Sequence, residues 1–214
     1  MTFPVPNLNA AEQNLIDAAQ NGEVCNLKAG DKRKDDPATS DSWGDDRTIR
    51  AEVIRHLCVG TDPDVKVDYR GVRLVGARIT GLLDLDDATL DSPLVLAFCR
   101  LEEPISLLNA RTKSLTVDGS HLLGVLASRL ESEGDVTFSG SKIAGVRNSA
   151  VGTLAVWMEG ATVGGVLALD AGFEAGLEVR LTATRVGATL MCNGGSFTNG
   201  GVGRWALNAD GVRA

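Results

Sequence analysis

Residues 72–122 read VRLVGARITGLLDLDDATLDSPLVLAFCRLEEPISLLNARTKSLTVDGSHL. A four-slot unit recurs through this stretch: apolar residues at h and h+2, a small residue at h+5, an apolar residue at h+7. The units are Val72, Leu74, Ala77, Ile79; Leu83, Leu85, Ala88, Leu90; Leu94, Leu96, Cys99, Leu101; Ile105, Leu107, Ala110, Thr112; and Leu115, Val117, Ser120, Leu122. A spacing of two means extended backbone with alternate side chains facing the core. The spacing of three before the small residue marks a turn that re-aims the chain. An amphipathic helix has no reason to keep one slot small. Each unit therefore forms two short sides of a coil, and two units, roughly 21 residues, close one circuit of a four-sided tube whose stacked coils pair as parallel strands ~4.8 Å apart.

Working outward, the pattern blurs at Val125 and returns at Val136, Phe138, Ser141, Ile143. It weakens at Val146, then continues as Val156, Met158, Ala161, Val163; Val166, Ala168, Ala171, Phe173; Val179, Leu181, Thr184, Val186; and Leu190, Cys192, Gly195, Phe197. The last and poorest copy is Trp205, Leu207, Asp210, Val212. The small slot holds Ala, Cys, Ser, Thr or Gly in ten of thirteen units, which separates the pattern from accident. No helix-period segment follows residue 66. Of 25 glycines, 21 lie beyond residue 65, where tight corners need permissive backbone. The fold class expected is an all-β solenoid, a four-sided parallel β-helix of about six coils over 66–214.

Residues 1–65 form a small helical appendage and a charged loop. Asn9 and Glu12 make a capping box ahead of Leu15, Ile16 and Ala19, and Gly22 stops that helix. A second helix is expected over 48–58, capped by Asp45 or Asp46. The loop between them is rich in charge, Pro and Ser, with Trp43 as its one large apolar residue. Trp43 pins the loop to the body, or else Trp43, Arg47 and Arg50 form a partner-binding corner.

The chain of 214 residues carries a net charge of −7. Residues 1–65 hold 12 acidic and 7 basic groups, whereas 66–214 hold 16 and 14. No basic stripe offers itself to a nucleic acid. The longest apolar runs, 94–99 and 122–127, are six residues long against the ~18 a spanning helix needs, and no basic leader with an apolar core precedes the first helix. Cys25, Cys58, Cys99 and Cys192 are scattered, and there are two histidines, so no zinc site is expected. Four reduced thiols fit a cytoplasmic protein.

The recurring triplets ARI, ATL, NAR, SKI and ATV, with GSHL, resemble those of pentapeptide-repeat proteins, whose fold is a right-handed quadrilateral β-helix. Strict repeats keep A-(D/N)-L-x-x; these units insert residues and vary the second position, which makes the chain similar to a degenerate relative. The segments AEQNLIDAAQNGEV, WGDDRTIRAEVIRHLCVG and GVRLVGARITGLLDLDDATL also resemble an actinobacterial family often labelled membrane-associated oxidoreductase. That label implies redox chemistry. A dinucleotide cradle, however, needs a strand before its glycines and a helix after them, which neither Gly164, Gly165 nor 200–203 has, so no cofactor is expected.

The functional reading that follows is a non-catalytic structural or protein-interaction module using the faces or ends of the tube. A DNA mimic inhibiting an enzyme such as gyrase, as some pentapeptide-repeat proteins are, would need a far more acidic rod. For an enzyme the best local carboxylates are Asp84, Asp86 and Asp87; Ser120 fills an inward slot, away from His121. The C-terminal coil carries no polar cap; either a longer sequence continues the coils or the end pairs with another chain, and Trp205, Leu207 and Val212 are expected to support homo-oligomer formation, most simply a twofold dimer.

Overall fold

The computed structural model describes residues 3–148, 152–199 and 205–214; the glycine run 200–203 lies outside them. From Val72 onward the chain consists mostly of short parallel strands in stacked sheets. The first sheet holds Cys25–Asn26, Val72–Val75, Leu94–Ala97, Leu115–Thr116, Val136–Thr137, Leu167–Ala168 and Leu190–Met191. The second holds Thr48–Arg50, Arg78–Thr80, Arg100–Leu101, His121–Leu122, Lys142–Ile143, Glu174–Ala175 and Ser196–Phe197. The third runs from Leu83–Asp84 through Ile105–Ser106, Val125–Leu126, Gly152–Trp157 and Glu178–Arg180 to Leu207–Asn208. The fourth holds Thr89–Leu90, Arg111–Thr112, Glu131–Ser132, Thr162–Val163 and Arg185–Val186. The chain visits the four sheets in turn and returns to the first, an arrangement consistent with a β-helix.

Side chains explain the stacking. Val72, Leu74, Ala77, Ile79, Leu83, Leu94, Leu96, Cys99, Ile105, Leu107 and Ala110 are fully buried, as the alternation requires. Two corners of each circuit need left-handed backbone. One column of such corners is Gly76, Phe98, Gly119, Gly140, Ala171 and Gly194; the other is Asp87, Asn109, Arg129, Gly160, Ala183 and Gly211. Glycine is the usual choice there, yet half of these positions carry a side chain. Polar ladders help the second column: Asn109 Nδ2 donates to Asp87 Oδ1 at 2.9 Å, and Arg129 Nε donates to Asn109 Oδ1 at 2.7 Å.

The small inward slots also have a polar task. The Cys99 N–H donates to Ser120 Oγ, and the Ser120 N–H donates to Ser141 Oγ, each at 2.9 Å. Ser141 Oγ in turn donates to Val117 O. Serine thus serves corner amides that would otherwise be buried without partners.

Three register readings need correction. Val146–Asn148 is no coil side: it pairs antiparallel with Gly152–Trp157 as an excursion from the third sheet. In the fifth circuit Leu167 pairs with Val136 and Leu190, so Leu167 and Leu169, both fully buried, take the slots assigned to Val166 and Ala168. In the last circuit Leu207, not Trp205, lies opposite Val179. A slip of one residue reverses which side chains face inward.

At the N-terminal end, α1 (Ala10–Asn21) has the expected Asn9–Glu12 capping box and a left-handed stop at Gly22. The second helix, α2 (Ala51–Val59), starts three residues later than the sequence suggests, with Arg50 at its cap. Thr48–Arg50 is instead drawn into parallel pairing with Arg78–Thr80. Cys25–Asn26 likewise pairs with Val72–Val75. Residues before 66 therefore begin two of the four sheets, while α2 packs against Leu83–Asp84 and Thr89–Leu90.

Candidate functional site

Trp43 and Arg47 are turned into the molecule, whereas Arg50 stays partly exposed. Trp43 is 6% exposed, and its Nε1 donates to Lys34 O at 2.8 Å. Arg47 lies 3.7 Å from the Trp43 ring centroid. Its Nε donates to Gly76 O at 2.9 Å, and its Nη1 reaches Asp35 Oδ1 at 3.0 Å. Burial would raise the Asp35 pKa, but the amides of Ala29 and Gly30 and the Arg47 guanidinium outweigh it and hold the carboxyl below its ordinary value. Arg50 clasps Glu12 with Nε and Nη2, both at 2.7 Å. These groups tie the charged loop and α1 to the first circuit, and Trp43 and Arg47 leave little of their surface for a partner.

The aspartates of 84–87 hold corners. Asp86 Oδ1 accepts from Ser106 Oγ at 2.6 Å and from the Leu108 N–H at 2.8 Å, and Asp84 Oδ1 accepts from the Asp86 N–H. Ser120 is fully buried, and its hydroxyl both accepts from Cys99 and faces the carbonyls of Leu96 and Asp118. His121 points the other way. Burial pushes the thiols of Cys58 and Cys99 up to about 12 and that of Cys25 to about 11, so these are not nucleophiles at neutral pH. Among the described residues no group of three or more His, Cys, Asp or Glu is placed to hold a metal ion, and no helix is long and apolar enough to cross a membrane.

The C-terminal coil differs from the N-terminal one. Leu207–Asn208 pairs with Glu178–Arg180 on one edge, and Arg213 bridges to Arg185. Among the described residues no further strand covers the other edge. Leu190, Cys192, Phe197, Leu207 and Val212 pack on the core while remaining partly exposed, and Trp205 is 55% exposed.

A second feature escapes a reading of inward slots. A cleft of about 580 Å³ lies where the charged loop meets the first column of corners, lined by Lys28, Lys32, Phe98 and His121 among others. It adjoins, at His121, a hollow of about 370 Å³ on the second sheet that Arg100 and Lys142 also line. The signal for it was a basic residue directly after the small slot in four successive circuits. Comparison with family models, curated proteins and solved structures finds no match for this chain.

Proposed function

We propose that the chain is a non-catalytic protein-interaction module built on a right-handed, four-sided, pentapeptide-like β-helix, and that it pairs with a second copy through its C-terminal coil. In-register circuits of 21 or 22 residues between Val72, Leu94, Leu115 and Val136 support the repeat reading. The observation that carries the function is the apolar surface of the stretch 190–212, where Leu190, Cys192, Phe197, Leu207 and Val212 pack on the core while partly exposed and Trp205 is 55% exposed, a surface suited to pairing with another chain. A twofold axis through that stretch would satisfy both copies at once. Buried neutral thiols suit work in the cytoplasm.

Light scattering at micromolar concentration should give twice the 22.4 kDa chain mass. Leu207→Asp should return the protein to monomer, and Asp84→Lys, on the same sheet but at the capped end, should leave the dimer intact. A monomer in the unaltered protein, or a dimer indifferent to Leu207→Asp, would overturn the proposal.

A further inference from the structure

The outward positions of the second sheet run in register as Thr48, Arg78, Arg100, His121, Lys142, Glu174 and Ser196. Four basic side chains thus stack in adjacent rungs ~4.8 Å apart. Like charges facing each other on neighbouring strands are destabilising. The fourth sheet avoids this by alternation, setting Arg111 against Glu131 at 2.9 Å and Lys113 against Glu133 at 2.5 Å. The second sheet does not alternate. Arg78 is drawn off by Glu102, and Lys142 by Glu174 at 3.0 Å. Arg100 and His121 in the middle make no side-chain hydrogen bond or ion pair among the described residues.

The surroundings add positive charge to a chain that is acidic overall. Lys28 and Lys32 line the same cleft as His121, with Lys28 Nζ 3.3 Å from the Phe98 ring centroid. Phe98 is 43% exposed, held at a left-handed corner with φ 51°, and its ring lies against Gly119, where a Cβ would come within 2.8 Å of it. The carboxylates of the cleft and of the adjoining hollow each have a partner. Asp35 accepts from Ala29, Gly30 and Arg47; Asp36 caps the short turn Pro37–Ser42 through the Ala38 N–H; Glu174 holds Lys142.

We propose that this groove binds a small organic anion, whose carboxylate or phosphate oxygens are taken by Arg100 and His121 and whose apolar body lies beside Phe98. Arginine suits either oxyanion because its fork offers paired donors, and the volume is that of ordinary small-molecule sites. Burial lowers the His121 pKa; Lys142 and Arg100 act in the same direction and Asp36 and Glu174 against it, with Lys28, Lys32 and Asp35 on the facing loop. An anion bound there favours the imidazolium, so affinity should rise as pH falls through the His121 titration.

The protein has two histidines, His56 and His121, so proton NMR of the imidazole signals reads the site directly. Benzoate and phenyl phosphate serve as probes, benzylamine as the cationic control. A saturable shift of the His121 signal with either anion, with His56 unmoved, supports the proposal, and the tighter probe identifies the oxyanion. Arg100→Gln should weaken that binding about tenfold, the loss of a charge-assisted hydrogen bond. Four results would overturn it: no His121 shift with either anion up to about 20 mM, unchanged affinity in Arg100→Gln, a shift of His56 as large as that of His121, or an equal response to benzylamine.

Discussion

Phe173→Ala is expected to destabilise the protein by about 3–5 kcal/mol, roughly 10 °C in Tm for a chain of this size, and Ala175→Phe on the same background is expected to restore much of the loss. The reason lies in how the fifth circuit fills the core. Its neighbours put the small residue first and the large one second: Ser141 then Ile143 in one, Gly195 then Phe197 in the other. The fifth circuit inverts the order, with Phe173 then Ala175, both buried. Ala175 stands in register between Ile143 and Phe197, and the Phe173 ring lies 5.5 Å from the Phe197 ring, centroid to centroid. Each layer of the tube must be filled to close packing, but which of its two slots holds the large side chain is open. Ala175→Phe alone should overpack the layer and cost about 1–3 kcal/mol. Urea unfolding of the four species completes a double-mutant cycle. A double variant as unstable as the sum of the single ones would show that slot order, and not layer volume, governs the core.

The same inversion explains where the repeat became hard to read. At Val125 the circuit holds Leu130 in the small slot and Ser132 in the large one, both buried. A search for a small third slot sees a blurred unit, although Val125 pairs in register with Ile105 and Val156. In the fifth circuit the inversion coincides with an extra corner residue, Gly172 at φ 90°, and counting back seven positions from Phe173 then lands on Val166 in place of Leu167. The first two circuits contain neither device. There the inward residues could be named from alternation alone, and the four-sheet arrangement follows from them.

The proposed anion-binding surface was less legible for a different physical reason. Hydrophobic alternation reports the inward side of a strand and leaves the outward side unconstrained. Arg78, Arg100, His121 and Lys142 are 22, 21 and 21 residues apart, and nothing local joins them. They become neighbours only once the coil length is known and the sequence is stacked by it. For the Trp43, Arg47 and Arg50 corner the sequence left two readings open. Aromatic and guanidinium groups in a charged loop suggest a binding surface, but a loop of that length needs internal ties, and the carbonyls of Lys34, Gly76 and Pro6 accept from these side chains.

Glu12→Gln should cost about 3 kcal/mol at neutral pH, the low end for a broken buried ion pair, because Arg50 is itself partly hydrated. The Glu12 carboxylate is fully buried and accepts from the Asn9 N–H, the Arg50 N–H and the Arg50 guanidinium. It therefore joins the cap of α1 to the strand Thr48–Arg50 and the start of α2. Burial alone would raise its pKa; the hydrogen bonds from Arg50 and Asn9 and the Arg50 charge outweigh burial and set it below the ordinary 4.5. A carboxyl with a lowered folded pKa stabilises fully above its unfolded value, and that contribution is lost as pH falls through the folded one. The gap in stability between the unaltered protein and Glu12→Gln should accordingly be constant above roughly pH 5.5 and close as the solution is acidified. Taking the difference removes the other carboxyls, including Asp118, whose pKa is raised chiefly by burial and which contributes the opposite slope. A gap that stays the same from neutral to acid pH would mean that Glu12 supports the cap through shape and hydrogen bonding, with no share from its charge.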